Sequence, residues 1–399
     1  MATWSVNLRK LARKTLFLIL TPLALVFRAL GWRSLRPGVE ARIGHLITEP
    51  FIAQHNREVG VWKWNLLVIP YSERKSANFA VQKRLSVSEA LWITNSLLGK
   101  LLKPFTMHPK LLLNTNEEIS ISPASVFRYS RDFGSNGYFQ RRDSDESDLR
   151  AALRNLGLTH TKHYVVLHVR ERGYILDDDD LQSHRNGDLL PLRSAVDWLN
   201  QNGIQVIRIG GPYGEPTSEM LPSVVDYAFS EHRDELTDIL LCQGCYFFLG
   251  NTSGIHALAT VQNRPSLGIN MSPLGAFGGL GSRTMSIPKL LWSYELERYL
   301  RFEEVFNSPV GNTFDPAVMQ SHGIAPHQNT ELEILEATQD MVKALEASDW
   351  GEMMLLNPLQ NQFRQLVPSN AYSYYCETVI APSFLRRHQS LLSSWGNDD

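Results

Sequence analysis

The sequence predicts an α/β fold with two Rossmann-like domains, a membrane-associated helix before them and a helical tail after them. Short apolar runs rich in β-branched residues alternate with runs of helical periodicity, which is typical of a doubly wound parallel sheet. The clearest strands are predicted at 164–170, 204–209, 224–229, 246–249 and 266–269. A shorter series of strands and helices precedes them, so we expect two such domains facing a cleft.

The predicted helices separate these strands. They lie at 78–85, 88–102, 146–156, 189–202 and 236–242, and a further strand is predicted at 64–69. Gly203 follows one helix directly, where a terminating glycine is common. The stretch 275–281 is rich in glycine but lacks the strand and helix that a nucleotide-binding fingerprint requires. We expect it to form a mobile loop over the cleft.

Domain boundaries follow changes in composition along the 399 residues, which suffice for two or three domains. We place a basic and apolar segment at 1–36, an N-terminal domain at 37–155 and a C-terminal domain at 156–310. A helical tail follows at 311–399, with a long helix at 330–348. We expect this tail to pack partly on the N-terminal domain.

The first 36 residues carry basic side chains on both sides of an apolar run at 16–27, and no acidic residue occurs before Glu40. A helix that crosses a bilayer needs roughly 20 apolar residues, and this run is shorter. The pattern favours a helix in the membrane surface, with lysine and arginine on anionic headgroups. A single-pass anchor and a helix docked on the protein are the alternatives. For a membrane helix, the charge bias puts the protein body on the cytoplasmic side.

Bulk charge and cysteine content narrow the classes of function. A net charge of -2 argues against a nucleic-acid partner. Three cysteines make no disulfide framework, and Cys242-x-x-Cys245 precedes an apolar strand. Core cysteines are therefore favoured over redox chemistry or half of a zinc site. The acidic run 177–180 is interpreted as a solvated loop rather than a metal site.

Two arginines follow the strongest predicted strand. Arg170 and Arg172 stand where ligands bind in open α/β sheets, at the carboxyl end of a central strand. A guanidinium group binds phosphate or carboxylate through paired hydrogen bonds. The alternative is an ion pair with the acidic run 177–180. We favour a ligand contact for Arg170 and leave both roles open for Arg172.

A polar turn follows the strand at 246–249. Gly250-Asn251-Thr252-Ser253-Gly254 leads into a predicted helix at 255–261. The start of a helix has free N–H groups and the positive end of a dipole, which suits a phosphate group. The alternative is that these residues only cap the helix.

A histidine and a glutamate form the candidate catalytic pair in the first half. A strand is predicted at 39–43, a turn at Gly44 and His45, and a helix at 51–56. Glu49 is four residues after His45, so both can face one side of a helix that begins at the turn. Either group could take a proton from a bound hydroxyl. The alternative places His45 in the turn and Glu49 on the surface.

Five motifs together resemble a family of bacterial glycosyltransferases that occur with surface-polysaccharide genes. They are Arg42-Ile-Gly-His-Leu-x-x-Glu-Pro50, Leu167-His-Val-Arg170, Arg185-Asn186, Val206-Ile-Arg-Ile-Gly210 and Phe248-Leu-Gly-Asn-Thr-Ser-Gly254. The resemblance runs from about residue 36 to about residue 392.

Two local likenesses add the GT-B fold to this resemblance. The segment from Gly250 to Ala259 resembles the donor-binding turn of heptosyltransferases, with Thr252 where an aspartate is usual. The end of the strand at His168-Val-Arg170 resembles that of fucosyltransferases, without the Gly-Asp that usually follows.

The resemblance implies a metal-independent GT-B glycosyltransferase that needs no cofactor, in which cationic side chains and a helix N-terminus bind the leaving diphosphate. Transferred to this sequence, the donor-binding residues are Arg170, Arg172, Arg185, Asn186, Gly210, Asn251, Thr252, Ser253 and Gly254. His45 then acts as the general base on the acceptor hydroxyl. Glu49 is either a second base or the partner that orients His45.

We therefore predict transfer of a sugar from a nucleotide-sugar donor to a glycan or lipid-linked acceptor in surface polysaccharide or lipopolysaccharide synthesis. The expected location is the cytoplasmic face of the inner membrane. Two alternatives stay open. A nucleotide-sugar epimerase or hydrolase on the same fold would convert the donor without an acceptor. A non-catalytic membrane-associated scaffold would not bind nucleotide sugars.

Overall fold

The computed structural model describes residues 2–36, 38–71, 75–113, 132, 138–171, 183–212, 215–347, 350 and 357–393. It divides into two compact units, Met1–Val126 and Phe127–Asp399, whereas the sequence places the boundary at 155/156. Both units combine helices with a parallel sheet, which confirms the predicted α/β class.

The first unit contains a small parallel sheet with strand order β1-β2-β3, and Ser34 of β1 also bridges to Leu112. Its elements in chain order are α1 (Ala2–Ala29), β1 (Trp32–Ser34), α2 (Ile43–Glu58), β2 (Leu66–Ile69), α3 (Phe79–Gln82), β3 (Ala90–Trp92) and α4 (Ser96–Thr106). The predicted strand at 64–69 is confirmed as β2.

The predicted strand at 39–43 is wrong. Gly38 has a φ of 91° and turns the chain into a short 3-10 helix at Val39–Ala41, after which α2 begins at Ile43. The β-branched residues at 39 and 43 suggested a strand, but they are spaced four apart and continue the helical spacing of the apolar face. His45 therefore lies in the first turn of α2.

The predicted helix at 88–102 is wrong in its first half. Residues Ala90–Trp92 pair with β2 as the parallel strand β3, and α4 begins only at Ser96. The side chain of Asn95 accepts a hydrogen bond from the N–H of Leu98 at 3.0 Å and caps the helix. Gly99 allows α4 to pack closely, because an added Cβ would lie 2.2 Å from Cβ of Tyr71.

Helix α1 packs on the first unit along one narrow stripe. Phe17, Thr21, Ala24 and Phe27 are buried or half-buried at spacings of three and four residues, which is the period of one helix face. Within the described part of the chain, no helix is both long and apolar enough to span a bilayer.

The second unit is built on a seven-stranded parallel sheet. Its strands are β4 (His163–His168), β5 (Ile204–Arg208), β6 (Val224–Asp226), β7 (Phe247–Gly250), β8 (Ser266–Met271), β9 (Thr284–Pro288) and β13 (Val379–Ile380). All five strands predicted in this half are confirmed, with ends shifted by up to three residues. Gly203 has a φ of 73° after its helix, as expected of a terminating glycine.

The remaining elements of the second unit cover the sheet and form a small antiparallel sheet of β10, β11 and β12. They are α5 (Asp145–Asn155), α6 (Arg193–Gln201), α7 (Glu235–Gly244), α8 (His256–Thr260), β10 (Leu290–Ser293), β11 (Arg298–Tyr299), α9 (Phe302–Phe306), α10 (Pro316–Ser321), β12 (Ile324–His327), α11 (Glu331–Glu346), α12 (Pro358–Leu366) and α13 (Pro382–Arg387).

The strand order of the large sheet is β13-β9-β8-β7-β4-β5-β6. Counted from β4, the chain moves outward to β5 and β6, then returns to β7 on the other side of β4 and continues outward. This is the doubly wound order, and its reversal lies between β4 and β7. In doubly wound sheets the connections on the two sides of such a reversal run over opposite faces, which leaves a crevice at the carboxyl ends of the strands. Ligands of open α/β sheets bind at such a switch point.

The helical tail is part of the second unit. Strand β13 extends the sheet beside β9, and α11 packs against α6 and α13. The predicted helix at 330–348 is confirmed as α11, with Thr330 and Glu333 forming a capping box. Packing of the tail on the N-terminal domain stays a prediction.

The glycine-rich stretch 275–281 is not a loop over the cleft. Phe277 is 0% exposed and contacts the ring of Phe363 from α12 at 5.2 Å. An added Cβ at Gly278 would lie 2.7 Å from Sγ of Cys376, so the glycine allows the tail to pack closely. The missing side chains therefore serve core packing rather than mobility.

Candidate functional site

The ends of β4 and β7 are joined by one buried asparagine. His168 of β4 is paired with Gly250 of β7, so Arg170 and Asn251 follow at the same edge of the sheet. The N–H of Arg170 donates to Oδ1 of Asn251 at 2.7 Å, and Nδ2 of Asn251 donates to the carbonyl of Arg185 at 2.9 Å. Both backbone partners have fixed roles, so the orientation of this amide is unambiguous. Asn251 thus connects three chain segments at the switch point.

Arg185 holds the turn after β7 in place. It lies at the end of a 3-10 helix, Ser183–Arg185, and its Nε and Nη2 both donate to the carbonyl of Thr252, at 3.0 and 2.8 Å. The hydroxyl of Thr252 accepts from the N–H of Ser272 at 3.3 Å. The arginine therefore has a structural contact as well as a place in the site.

Asn186 is contacted by two cationic side chains. The guanidinium of Arg170 donates to its Oδ1, and Nζ of Lys289 donates to its carbonyl at 2.7 Å. Arg170 is 8% exposed and Lys289 is 5% exposed. Burial lowers the pKa of Lys289 to about 8, although nearby Asp188 opposes this. With Arg185 adjacent in sequence, three cationic residues lie in or beside the segment 184–186.

His184 is buried in the middle of this cationic set. Burial, together with the charges of Arg185, Lys289 and Arg170, lowers its pKa to about 3, so the imidazole is neutral. It is 4% exposed, and neither ring nitrogen has a hydrogen-bond partner among the described residues. A buried imidazole without partners costs free energy, and a bound ligand with a polar group can offset that cost.

The hydroxyl of Ser253 is also buried without a hydrogen-bond partner in the described part of the chain. The predicted helix after it is shorter than expected, because α8 covers only His256–Thr260. A helix of one turn contributes little dipole, so a negative charge here would depend mainly on side chains. Gly254 lies in the turn between Ser253 and α8, and it is half-buried.

His168 and Gly210 close the side of the site toward β5. Nδ1 of His168 lies 3.0 Å from the carbonyl of Ile209, and an added Cβ at Gly210 would lie 3.0 Å from the same nitrogen. Gly210 has a φ of 133°, which side chains disfavour. Burial lowers the pKa of His168 to about 4, so this histidine is neutral and structural. Gly210 is therefore required by close packing at the strand end.

Two predicted features cannot be located. Arg172 and the acidic run 177–180 lie outside the described residues. Within the described ranges, no three His, Cys, Asp or Glu side chains are grouped so that they could hold a metal ion.

Cys242 and Cys245 are fully buried free thiols whose pKa values are raised by burial, to about 12 for Cys245. Both are core residues, as the sequence favours.

In the first unit, His45 and Glu49 form a hydrogen-bonded pair on α2. Nδ1 of His45 lies 2.9 Å from Oε1 of Glu49. Arg36 donates through Nη2 and Nε to the same carboxylate, at 2.5 and 3.0 Å. Glu49 is 1% exposed, whereas the His45 side chain is 41% exposed. The carboxylate is thus an inner partner and the imidazole faces solvent.

The protonation of this pair follows from its contacts. Burial opposes ionisation of Glu49, but hydrogen bonds from His45 and Arg36 and their positive charge outweigh it, so its pKa is lowered. Nη2 of Arg36 also lies 3.1 Å from Nδ1 of His45. The ionised carboxylate favours a proton on Nδ1, which leaves the lone pair on Nε2 toward solvent. The alternative that Glu49 is a surface residue is wrong.

Three residues of these sites were not anticipated from the sequence: Lys289, His184 and Arg36. Lys289 interrupts an apolar stretch between β9 and β10, which was a usable signal. Its contact with Asn186 spans 103 positions of the chain, so no local pattern connects them. Arg36 was counted with the basic N-terminal segment, although it pairs with Glu49.

No protein-family model matches the chain, and no curated protein matches it in sequence. Among solved structures, it is similar to a family 9 glycosyltransferase from Veillonella parvula, with 11% identity, a TM-score of 0.41 and coverage of 65% of this chain and 86% of that one. It is also similar to heptosyltransferase II from E. coli, with 12% identity, a TM-score of 0.41 and coverage of 64% of this chain and 90% of that one. The iron-containing dodecameric glycosyltransferase TibC from enterotoxigenic E. coli is 16% identical, with a TM-score of 0.41 and coverage of 80% of this chain and 78% of that one. Similarities this low carry no argument about chemistry, which rests on the site itself.

Proposed function

We propose that the chain is a GT-B glycosyltransferase that transfers a sugar from a nucleotide-sugar donor to a glycan or lipid-linked acceptor. The observation that carries this proposal is the set of cationic groups at the switch point of the second unit. Arg170 and Lys289 both contact Asn186, and Arg185, next to it in sequence, donates to the carbonyl of Thr252 in the turn after β7. This is where an open α/β sheet binds its ligand, and the charges suit a diphosphate.

Cationic side chains in this position have a chemical purpose in sugar transfer. When the bond between the anomeric carbon and the diphosphate oxygen breaks, both electrons leave with the nucleoside diphosphate. Fixed positive groups stabilise that charge as it develops. Arg170 and Lys289 would carry it, and the hydroxyl of Ser253, which has no partner among the described residues, would donate a hydrogen bond. We propose that these groups, rather than a metal ion, bear the diphosphate charge.

The acceptor must lose a proton as its oxygen bonds to the anomeric carbon. In the tautomer with the proton on Nδ1 toward Glu49, His45 would offer the lone pair of Nε2, and Glu49 would stabilise the imidazolium that forms. In this role His45 is the general base and Glu49 is a positioning residue. The acceptor oxygen gains the bond to the sugar, His45 gains the proton and the diphosphate leaves.

The test is a panel of nucleotide sugars measured by thermal shift and by product formation. We expect one donor to raise the melting temperature of the wild type. The Lys289→Met variant should need at least a tenfold higher donor concentration for the same rise. Lys343→Met is the matched control, because Lys343 is an exposed lysine on α11. His45→Ala should abolish transfer and leave the donor-induced shift unchanged.

The same panel separates the alternatives. No shift with any nucleotide sugar would contradict the proposal and favour a non-catalytic scaffold. Conversion of the donor at full rate without an acceptor would indicate an epimerase or hydrolase. Unchanged transfer by His45→Ala would remove this residue as the base, while donor binding would still support the site in the second unit.

A further inference from the structure

Helix α1 presents a wide apolar surface that nothing in the described structure covers. Its inward stripe accounts for five side chains, the four named above and half-buried Leu20, and most other apolar positions in its second half are exposed. These exposed residues are Leu16, Leu18, Ile19, Leu23, Leu25 and Val26, with exposures from 39% to 74%. Single exposed leucines are ordinary, but a set on one helix marks an interaction surface.

Helix α4 extends this surface with residues that are far away in sequence. Leu97, Leu98 and Leu101 are 68%, 48% and 69% exposed, on the side of the helix away from buried Gly99. The two helices pack side by side, with the rings of Phe27 and Phe105 in contact at 5.0 Å. We call the exposed apolar residues of α1 and α4 the outward leucine surface.

A second contact fixes α1 to the segment after α4. Nε2 of His108 lies 3.2 Å from the hydroxyl of Thr21 and 3.1 Å from the carbonyl of Phe17. His108 is 2% exposed. The two helices are therefore held together by buried polar contacts as well as aromatic packing, so their outward residues belong to one rigid part of the first unit.

The charged residues of these two helices have one sign. Helix α1 contains five basic residues, Arg9, Lys10, Arg13, Lys14 and Arg28, and no acidic residue. Helix α4 contains Lys100 and Lys103, both exposed, and the whole stretch 90–113 has no acidic residue. This pattern fits a partner that is apolar inside and carries negative charge at its boundary with water.

We infer that the outward leucine surface docks on a lipid bilayer with anionic headgroups, and that α4 is part of the contact. Leucine and isoleucine side chains enter the acyl boundary while lysine and arginine stay with the headgroups. A second copy of the chain fits less well, because like charges would meet across the interface. Binding of this surface to lipid does not depend on the proposed activity.

The test is co-sedimentation of the full chain with vesicles of phosphatidylcholine, alone or mixed with phosphatidylglycerol. We expect binding to the mixed vesicles and much weaker binding to phosphatidylcholine alone. Leu97→Asp with Leu101→Asp should weaken binding about tenfold or more, because two apolar side chains are withdrawn from lipid. Lys100→Gln with Lys103→Gln should weaken it about 25-fold at low salt, about fivefold per charge.

The control replaces two exposed leucines of the second unit, Leu296→Asp with Leu332→Asp, and should bind like the wild type. Failure of the wild type to bind, or equal binding to both vesicle types, would overturn the inference. Full binding by both α4 variants would overturn the role of α4. If the leucine variant dissociated a dimer in light scattering without changing vesicle binding, the surface would be an interface between copies. Should the leucine variant misfold, the lysine variant decides.

Discussion

Replacing Asn251 by alanine should destabilise the second unit by about 2 to 4 kcal/mol. The side chain makes two short hydrogen bonds, to the N–H of Arg170 at 2.7 Å and to the carbonyl of Arg185 at 2.9 Å, and is 1% exposed. Each buried backbone group left without a partner costs about 1 to 3 kcal/mol. Arg185 is only half-buried, so water can partly satisfy its carbonyl. The expected total is therefore below the sum of two full penalties.

The assay is thermal unfolding followed by circular dichroism. For a unit of this size, 1 kcal/mol shifts the midpoint by about 2 to 4 °C, so a decrease of about 4 to 16 °C is expected. Donor affinity should also fall, because the Asn251 side chain that bonds the backbone of both Arg170 and Arg185 is lost. Thr252→Val is the control in the same turn and should cost less than about 1 kcal/mol, because its hydroxyl makes only long contacts.

Asn251→Asp tests the reason for the effect. One carboxylate oxygen still accepts from the N–H of Arg170, but the other replaces Nδ2 and faces the carbonyl oxygen of Arg185. The ionised carboxylate is therefore disfavoured, and only the protonated carboxyl can donate to that carbonyl. The folded pKa of this carboxyl is then raised, and the variant should regain stability as the pH falls through it. A midpoint of Asn251→Ala within about 1 °C of the wild type, or an Asn251→Asp variant with no such pH dependence, would refute the reasoning.

Three further changes probe other contacts. Lys289 has a pKa of about 8, so affinity for a nucleoside diphosphate should fall as the pH rises through 8; Lys289→Arg, which stays charged, should remove that fall in calorimetric titrations. The lowered pKa of Glu49 contributes stability above the unfolded value near 4.5 that is lost as the pH falls through the folded value. Glu49→Gln should therefore lower the free energy of unfolding by about 2 kcal/mol near pH 7, and the difference from the wild type should shrink at acidic pH. A difference that does not change with pH would argue against ion pairing. Gly250→Ala should cost about 3 kcal/mol, because its Cβ would lie 2.2 Å from the carbonyl of His168, and an unchanged melting midpoint would contradict this.

The large sheet could be predicted because its strands are locally distinct. Runs such as Tyr164 to Leu167 are apolar, β-branched and bounded by polar residues, so pattern alone locates them. The first unit was harder, because its strands have only three or four residues. Val39 and Ile43 are typical of a strand, yet the positive φ of Gly38 and the helical spacing of the following apolar residues determined a helix. Tertiary packing decides such short elements.

The site could be predicted where its residues follow strands. Asn251 comes directly after β7 and Arg170 comes two residues after β4, and parallel strands bring their carboxyl ends to one edge. The structure brings Arg170, Arg185, Asn186 and Asn251 together, and their role in donor binding stays a prediction. Lys289 and His184 could not be found this way, since their proximity depends on how distant loops pack.

The strand β1 has a practical consequence for work with shortened forms of the chain. Trp32–Ser34 pairs with β2 on one side and bridges to Leu112 on the other, and Arg36 contacts Glu49. Deleting the whole basic segment 1–36 to improve handling would remove an inner strand and expose the carboxylate beneath His45. A shortened chain that ends its deletion ahead of Thr21 keeps the strand, the arginine and the hydroxyl that contacts His108. Loss of activity in the longer deletion would then report damage to the first unit rather than the loss of a membrane contact.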